Sequence, residues 1–310
     1  MAGYSLEIKN GDEMDLAWSK RKQAILLMVV AASLWSIAGV LTRHLDSARG
    51  FEITFWRSLF AAIWVAGMMW RQYGVGMAAR LRLMGGPGLI SGCMWATMYS
   101  CFMIAMSLTT VANTAIMESL APFFTAVLAA LVLKEKIPAR TWWAITAAAC
   151  GMAWMFAGNL SAVDERGMVG MLIALGVPLA ASVNMIVLRK RAHTVDLIPA
   201  VFLGGSISAL CMLPLALPLH TSLHDVLILA VLGFFQLGLP CALMVKASGH
   251  LSATEVALLS LLEVLLAPVW AWLGAGEVPE MATITGGVVV LISLIFNELS
   301  QLQRACSSAG

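Results

Sequence analysis

The chain has 310 residues, 60% of them hydrophobic and only 12% charged, with a mean hydropathy of +0.88. Soluble domains carry about 25% charged residues, so this composition cannot clothe a water-facing surface and defines a polytopic membrane protein. A formal charge of +2 gives no reason to expect a nucleic-acid partner; the placement of the basic residues along the chain matters more.

Residues 1–22 are polar and end in Ser-Lys-Arg-Lys (Ser19 to Lys22). The apolar run that follows is long enough to span and has no small-residue cleavage site, so it is expected to stay as the first transmembrane helix. A span needs roughly 20 mostly apolar residues. Ten segments qualify, at about 23–41, 51–70, 87–106, 111–133, 141–158, 168–188, 198–217, 226–246, 252–273 and 281–299. The connections are short. The six cysteines show no CxxC spacing and read as small packing residues.

With the N-terminus in the cytoplasm, the inner segments hold Lys9, Lys20, Arg21, Lys22, Arg71, Arg80, Arg82, Lys134, Lys136, Arg140, Arg189, Lys190, Arg191, Lys246 and Arg304. The outer segments hold only Arg43, Arg49 and Arg166, and Arg57 falls inside the second span. This asymmetry obeys the positive-inside rule. It supports an even count with both termini cytoplasmic.

A pattern repeats along the chain. Ser107 to Pro138 carries an embedded acid, Glu118, a proline, Pro122, and a closing Glu135-Lys136-Ile137-Pro138. His250 to Pro279 echoes it with Glu263, Pro268 and Glu277 to Pro279. Each half would hold five spans, and two copies of an odd-numbered unit must insert with opposite orientation. The expected fold is therefore all-α, with ten transmembrane helices as two inverted five-helix repeats. The expected organisation is a cytoplasmic tail (1–22), a first repeat (23–158), a linker (159–167), a second repeat (168–299) and a cytoplasmic tail (300–310).

In order and spacing, several motifs resemble the drug/metabolite transporter superfamily, in its EamA branch. They are SLWSIAGVLTRHL (Ser33 to Leu45), FEITFWRSLFAAI (Phe51 to Ile63), LAPFF with LKE (Leu120 to Phe124, Leu133 to Glu135), Gly151, SLLEVLLAPVWAWLGAGE (Ser260 to Glu277), and Gly286 with Gly287. Lys134 stands where the branch commonly has glycine. The resemblance implies ten helices around a central cavity and export of small metabolites.

Polar residues at membrane depth are the candidates for function. Arg57 lies about 9 Å and Glu118 about 10 Å from the outer face by helix rise, so the two are expected at a similar level. Such a pair would gate or bind a zwitterion, or it would simply tie two helices together. Glu263 lies about 16 Å from the inner face, with no basic residue expected at that depth, which suits a proton-coupled carrier; a neutral acid bonded to a neighbouring helix is the alternative. Gln236 is placed at a similar level. Glu255, near the inner end, reads as an interfacial residue. Trp35, Trp95 and Tyr99 would line a cavity or pack between helices. Asn113 and Asn184 are further polar candidates, and Pro122 and Pro268 are expected helix kinks.

No Gly-x-Ser-x-Gly, HExxH, phosphate loop or ATP-binding module is present. His220 and His224 are four apart without a third ligand in view, so no metal or cofactor is expected. The function expected is secondary transport, without enzymatic activity, in the inner (plasma) membrane. The expected partners are a small-molecule substrate, the lipid bilayer and protons, with a homodimer left open. Import by the same fold, or a membrane scaffold without turnover, are the competing readings.

Overall fold

The computed structural model describes residues 2–42, 44–48, 50–155, 165–191, 194–276 and 280–307. Arg43, Arg49, Glu277, Pro279 and most of the expected linker 159–167 lie outside the described residues. The helices are α1 (Ala2–Trp35), α2 (Ala38–Thr42), α3 (Phe51–Tyr73), α4 (Met77–Leu83), α5 (Gly85–Leu108), α6 (Val111–Glu118), α7 (Ala121–Leu128) and α8 (Ala139–Met155). They continue with α9 (Glu165–Ala174), α10 (Gly176–Arg191), α11 (Ile198–Ala216), α12 (Leu223–Val231), α13 (Leu239–Ala247), α14 (Ala253–Ser260), α15 (Leu262–Ala275) and α16 (Met281–Ser307). No strand occurs among the described residues.

Taken end to end, these helices give 9 runs among the described residues that are long and apolar enough to cross a membrane. The expected fifth span, 141–158, coincides with α8, whose described part has 17 residues. A crossing takes about 20, so α8 falls short of the count where its description ends.

Lipid tails are as apolar as leucine, so hydrophobicity alone does not draw such helices together; close packing of small residues does. The interior accordingly holds Ala24, Ala31, Ala32, Met28, Met69 and Met152, while Trp143, Trp154, Ile292 and Phe296 face outward. The main helix pairs, α3 with α11, α5 with α10, α1 with α13 and α8 with α16, each join the first half of the chain to the second. Glycine sets the closest of these approaches. A Cβ on Gly286 would sit 2.5 Å from the Gly151 carbonyl oxygen, and one on Gly151 would sit 2.9 Å from that of Gly286. Near this crossing Trp154 Nε1 donates to Thr285 Oγ1 (2.9 Å), and further along Thr141 Oγ1 donates to Asn297 Oδ1 (3.0 Å). The end of α8 thus meets the start of α16, and the start of α8 meets the end of α16: the two run antiparallel.

A second regularity is local. Thr110 caps α6 by accepting from the Asn113 amide, and Ser252 caps α14 by accepting from the Glu255 amide. The α6–α7 rod breaks at Ser119–Leu120 and the α14–α15 rod at Leu261. Lys134 has φ +56°, the left-handed turn that glycine tolerates best, and Gly276 has φ +70°. Helix α8 starts at Ala139 and α16 at Met281. In every pair (110 and 252, 119 and 261, 134 and 276, 139 and 281) the members lie 142 residues apart.

This register corrects the echo read from sequence. The position 142 residues after Glu118 is Ser260, and the one 142 before Glu263 is Ala121. Glu118 is the last residue of α6, ahead of its break, whereas Glu263 lies in the first turn of α15, after its break. The prolines are not counterparts either. Pro122 starts α7, and its missing N–H leaves the Glu118 carbonyl without a helical donor, which accounts for that break. Pro268 sits inside α15, which continues through it; the break in that span lies at Leu261 instead.

Candidate functional site

Arg57, the charged residue inside the second span, is buried on α3. Its Nη2 donates to Gln236 Oε1 at 2.7 Å. Gln236 is carried by a π-helical turn, Leu232–Gly238, between α12 and α13. Gly233, one turn before it, presses against α3: a Cβ there would lie 2.8 Å from the Arg57 carbonyl oxygen and 2.4 Å from Phe60 Cβ. A glycine and a widened turn therefore bring Gln236 within reach of Arg57, and such turns recur at functional positions. Gln236 Nε2 in turn donates to the Trp35 carbonyl (3.2 Å), at the end of α1, where helical carbonyls lack intrahelical donors. Arg57 is thereby fixed through Gln236 to the break in the first span. Arg57 Nε is buried without a partner.

Two acids complete the constellation. The acid that interacts electrostatically with Arg57 is Glu263. Glu118 interacts with Glu263 instead. Similar depth left open whether Arg57 pairs with Glu118; the interaction with Glu263 corrects the expectation that no basic residue lies at that acid's depth. Depth along the span does not fix the facing of a side chain, and the break before Glu263 turns it away from the register of a straight helix. No N–O contact of salt-bridge length joins Arg57 to either acid. Neither carboxyl makes a hydrogen bond or ion pair with any described residue, and both keep accessible surface while densely surrounded by protein.

The remaining candidates separate into two sets. Tyr99 is half-buried, and its hydroxyl lies 3.1 Å from Cys241 Sγ. Trp35 is buried beside the Gln236 bond. Trp95 stacks at 5.8 Å on Tyr99 but packs tightly against Gly204, where a Cβ would lie 2.3 Å from its own, so it serves mainly as packing. Asn184 accepts from Ser91 Oγ at 2.6 Å and ties α10 to α5. Asn113 Nδ2 donates to Thr109 Oγ1 at 2.9 Å within the α6 cap. Both asparagines stand apart from the hydrogen-bonded chain that runs from Arg57 through Gln236 to Trp35.

A contrasting set of charges lies at the opposite end of α14. Arg21 Nη2 donates to Glu255 Oε1 in a short contact and to Glu298 Oε2 at 3.1 Å. Glu255 Oε2 also accepts from the Ser252 amide (2.7 Å), closing a capping box. Nearby, Arg189 pairs with Glu135 at 3.8 Å and donates to the Gly249 carbonyl at 3.1 Å. Burial holds the Glu135 carboxyl above its ordinary range, against the opposing pull of Arg189. A cavity of about 410 Å³ opens nearby, lined by residues including Asp196, Lys246 and His250. It does not include Arg57, Glu118 or Glu263.

Sequence reading missed Asp225. It is fully buried and accepts from the Asp46, Ser47 and Ala48 amides and from Ser47 Oγ, pinning the loop after α2 to the start of α12. His224 was read with His220; its ring nitrogen instead lies 3.2 Å from Asp46 and 3.5 Å from Asp225. The carboxylate's bonds are already taken by the loop, which accounts for the cluster. The signal in the sequence was the Ser222-x-x-Asp225 cap, which reads as an ordinary helix start.

The EamA-like transporter family model matches residues 22–157 and again residues 168–298. The chain belongs to the EamA-like transporter family. It is therefore a polytopic membrane protein of a transporter family, as its motifs implied, in the drug/metabolite transporter superfamily. The pseudopaline exporter CntI, matched in two strains of Pseudomonas aeruginosa, is 28% identical over 280 residues, covering 88% of this chain and 95% of the relative. A protein of known crystal structure superposes with a TM-score of 0.74 over 90% of this chain and 97% of its own at 14% identity, a likeness of fold.

Proposed function

We propose that this protein is a secondary exporter of a small organic metabolite, an amino acid or a compound similar to one, working by alternating access in the bacterial inner membrane. Ten spans in two inverted five-helix halves would rock about the Arg57–Glu263 region, with both termini in the cytoplasm. The observation that carries the reading is a buried arginine fixed by Gln236 and two carboxyls that make no hydrogen bond with any described residue, all inside an apolar bundle. A lone intramembrane charge costs at least about 2.5–3.5 kcal/mol, and a scaffold has no use for one. Export by CntI, a relative over most of both chains, supports the direction. The recurring 142-residue register and the antiparallel α8–α16 pair support the inverted duplication. The site suits proton coupling or exchange, because a carboxyl without a protein partner is free to take a proton or a ligand in turn.

The test compares metabolites in the medium of cells that overexpress the protein with those that lack its gene. Export predicts compounds enriched in the first medium. Enrichment inside the cells would indicate import by the same fold, and no difference across a broad metabolite panel would favour the scaffold. A reporter fused after Arg304 should read cytoplasmic; a periplasmic signal would remove the ten-span topology.

A further inference from the structure

We propose that the break in the first span is a joint that Gln236 couples to Arg57, so that a change of partner at Arg57 is passed through one side-chain amide to α2 and α15. The coupling rests on the transport reading above for its role. Its test reads hydrogen exchange and not transport, so each can fail without the other.

The joint starts from local sequence. Helix α1 ends at Trp35 and α2 begins at Ala38, within one apolar run. Ser36 lies buried between them, and its hydroxyl donates to the Ser33 carbonyl at 2.7 Å, a local bond that competes with a continuous helix. Backbone freed by a break at membrane depth has to find partners on neighbouring elements. Two side chains from the second half of the chain meet this break. Gln236 Nε2 donates to the Trp35 carbonyl at 3.2 Å, and Trp270 Nε1, on α15, donates to Ser36 Oγ at 2.8 Å.

Donor and acceptor types fix the direction of every bond in this chain. A guanidinium only donates and a backbone carbonyl only accepts. Gln236 therefore turns Oε1 to Arg57 Nη2 (2.7 Å) and Nε2 to Trp35, and both ends of its amide are used. An indole N–H only donates as well, so Ser36 Oγ accepts from Trp270 while giving its own proton to Ser33. The bonds run from α3 through the π-helical turn and the first-span break to α15. Beyond the break α2 packs on α15, where a Cβ on Gly274 would lie 2.8 Å from Val40 Cγ1, so the two shift together. A carboxylate at position 236 could hold Arg57 but could not donate to Trp35. The amide holds the arginine without neutralising it and passes the contact on. Arg57 Nε is buried without a partner, so the protein does not saturate the guanidinium and another acceptor can draw it away. Gln236 then loses the donor that fixes its amide, the Trp35 carbonyl loses its own donor in turn, and α2 is released together with α15.

The test is hydrogen–deuterium exchange of the purified full chain, read at residues 36–42 and 262–275, with the α8–α16 pair as internal reference. Gln236→Glu keeps an acceptor for Arg57 and removes the donor to Trp35. Exchange in both stretches should rise roughly tenfold, the loss of one hydrogen bond. Arg57→Met should raise exchange at 36–42 by a similar factor. The double variant should be no faster there than either single one, because both act through one link. Wild-type exchange at 36–42 in Gln236→Glu, or a rise shared equally by α8 and α16, overturns the proposal. So does a double variant whose effect is the product of the two single effects. Should Gln236→Glu fail to accumulate, Gln236→Met decides by the same outcomes, since it keeps the length of the side chain and removes both bonds.

Discussion

The α6–α7 rod and the α14–α15 rod share a register and differ in what they do with it. Both start on a hydroxyl cap, both break nine residues later, and both belong to stretches that close on a left-handed turn, at positions 142 residues apart. At the third helical position the first rod has Asn113, bonded within its own cap, while the second has Glu255, bonded across the bundle to Arg21. At the break the first rod places its acid before the gap and the second places its acid after it. The repeated backbone is a frame, and the acids are fitted to it separately. An acid whose bonds are all made belongs to the frame.

The largest expected effect on stability comes from the third position. Glu255→Ala leaves Arg21 short of a partner and opens the capping box, and should cost about 3 kcal/mol, seen as a lowered Tm of the purified protein. Asn113→Ala should cost only about 1 kcal/mol. Equal losses would show that Glu255 is no more structural than its counterpart.

The caps come next. Thr110→Ala and Ser252→Ala should each cost about 1 kcal/mol. Unequal effects are expected only to the extent that Ser252 also anchors the Glu255 box. The left-handed turns should respond with opposite signs. Lys134→Gly should stabilise by about 1 kcal/mol and Gly276→Ala should destabilise by a similar amount. A Cβ on Gly276 meets nothing within 4 Å, so backbone strain alone is read there.

The smallest effect is a pH dependence. Because burial raises the Glu135 carboxyl in the folded protein, the folded state holds its proton more tightly than the unfolded state does. That contribution is full below the ordinary carboxylate range and is lost as pH rises through the folded value. Glu135→Gln should therefore remove a decline of roughly 0.5 kcal/mol in stability between acid and neutral pH. A decline that persists in the variant would assign it to other groups.

Much of the frame was legible in the sequence, because apolar runs, flanking charges and glycine–proline punctuation are local signals. The EamA motifs named the family, and Arg57, Gln236 and Glu263 stood out as polar residues where lipid would exclude them. Lys134 was visible as an odd residue at a glycine position, and its φ of +56° supplies the reason. The pairing was not legible. Depth along a span ranks residues by level, but which acid faces Arg57 depends on rotation about helices that break. The break at Leu261 has no proline in position to announce it. Asp225 was hidden for a similar reason, since its acceptors are filled by a loop 177–179 residues away in sequence.

The most direct test of the central claim is the export rate of Glu263→Gln, measured on whichever compounds the wild-type protein adds to the medium. Glu263 makes no hydrogen bond with any described residue, although it is the acid that interacts electrostatically with Arg57. The variant is expected to accumulate in the membrane as a folded protein, while export falls on the order of 100-fold, as when a charged group that binds the transported species is removed. Wild-type export by Glu263→Gln, or loss of the folded protein in place of its transport, would contradict the account.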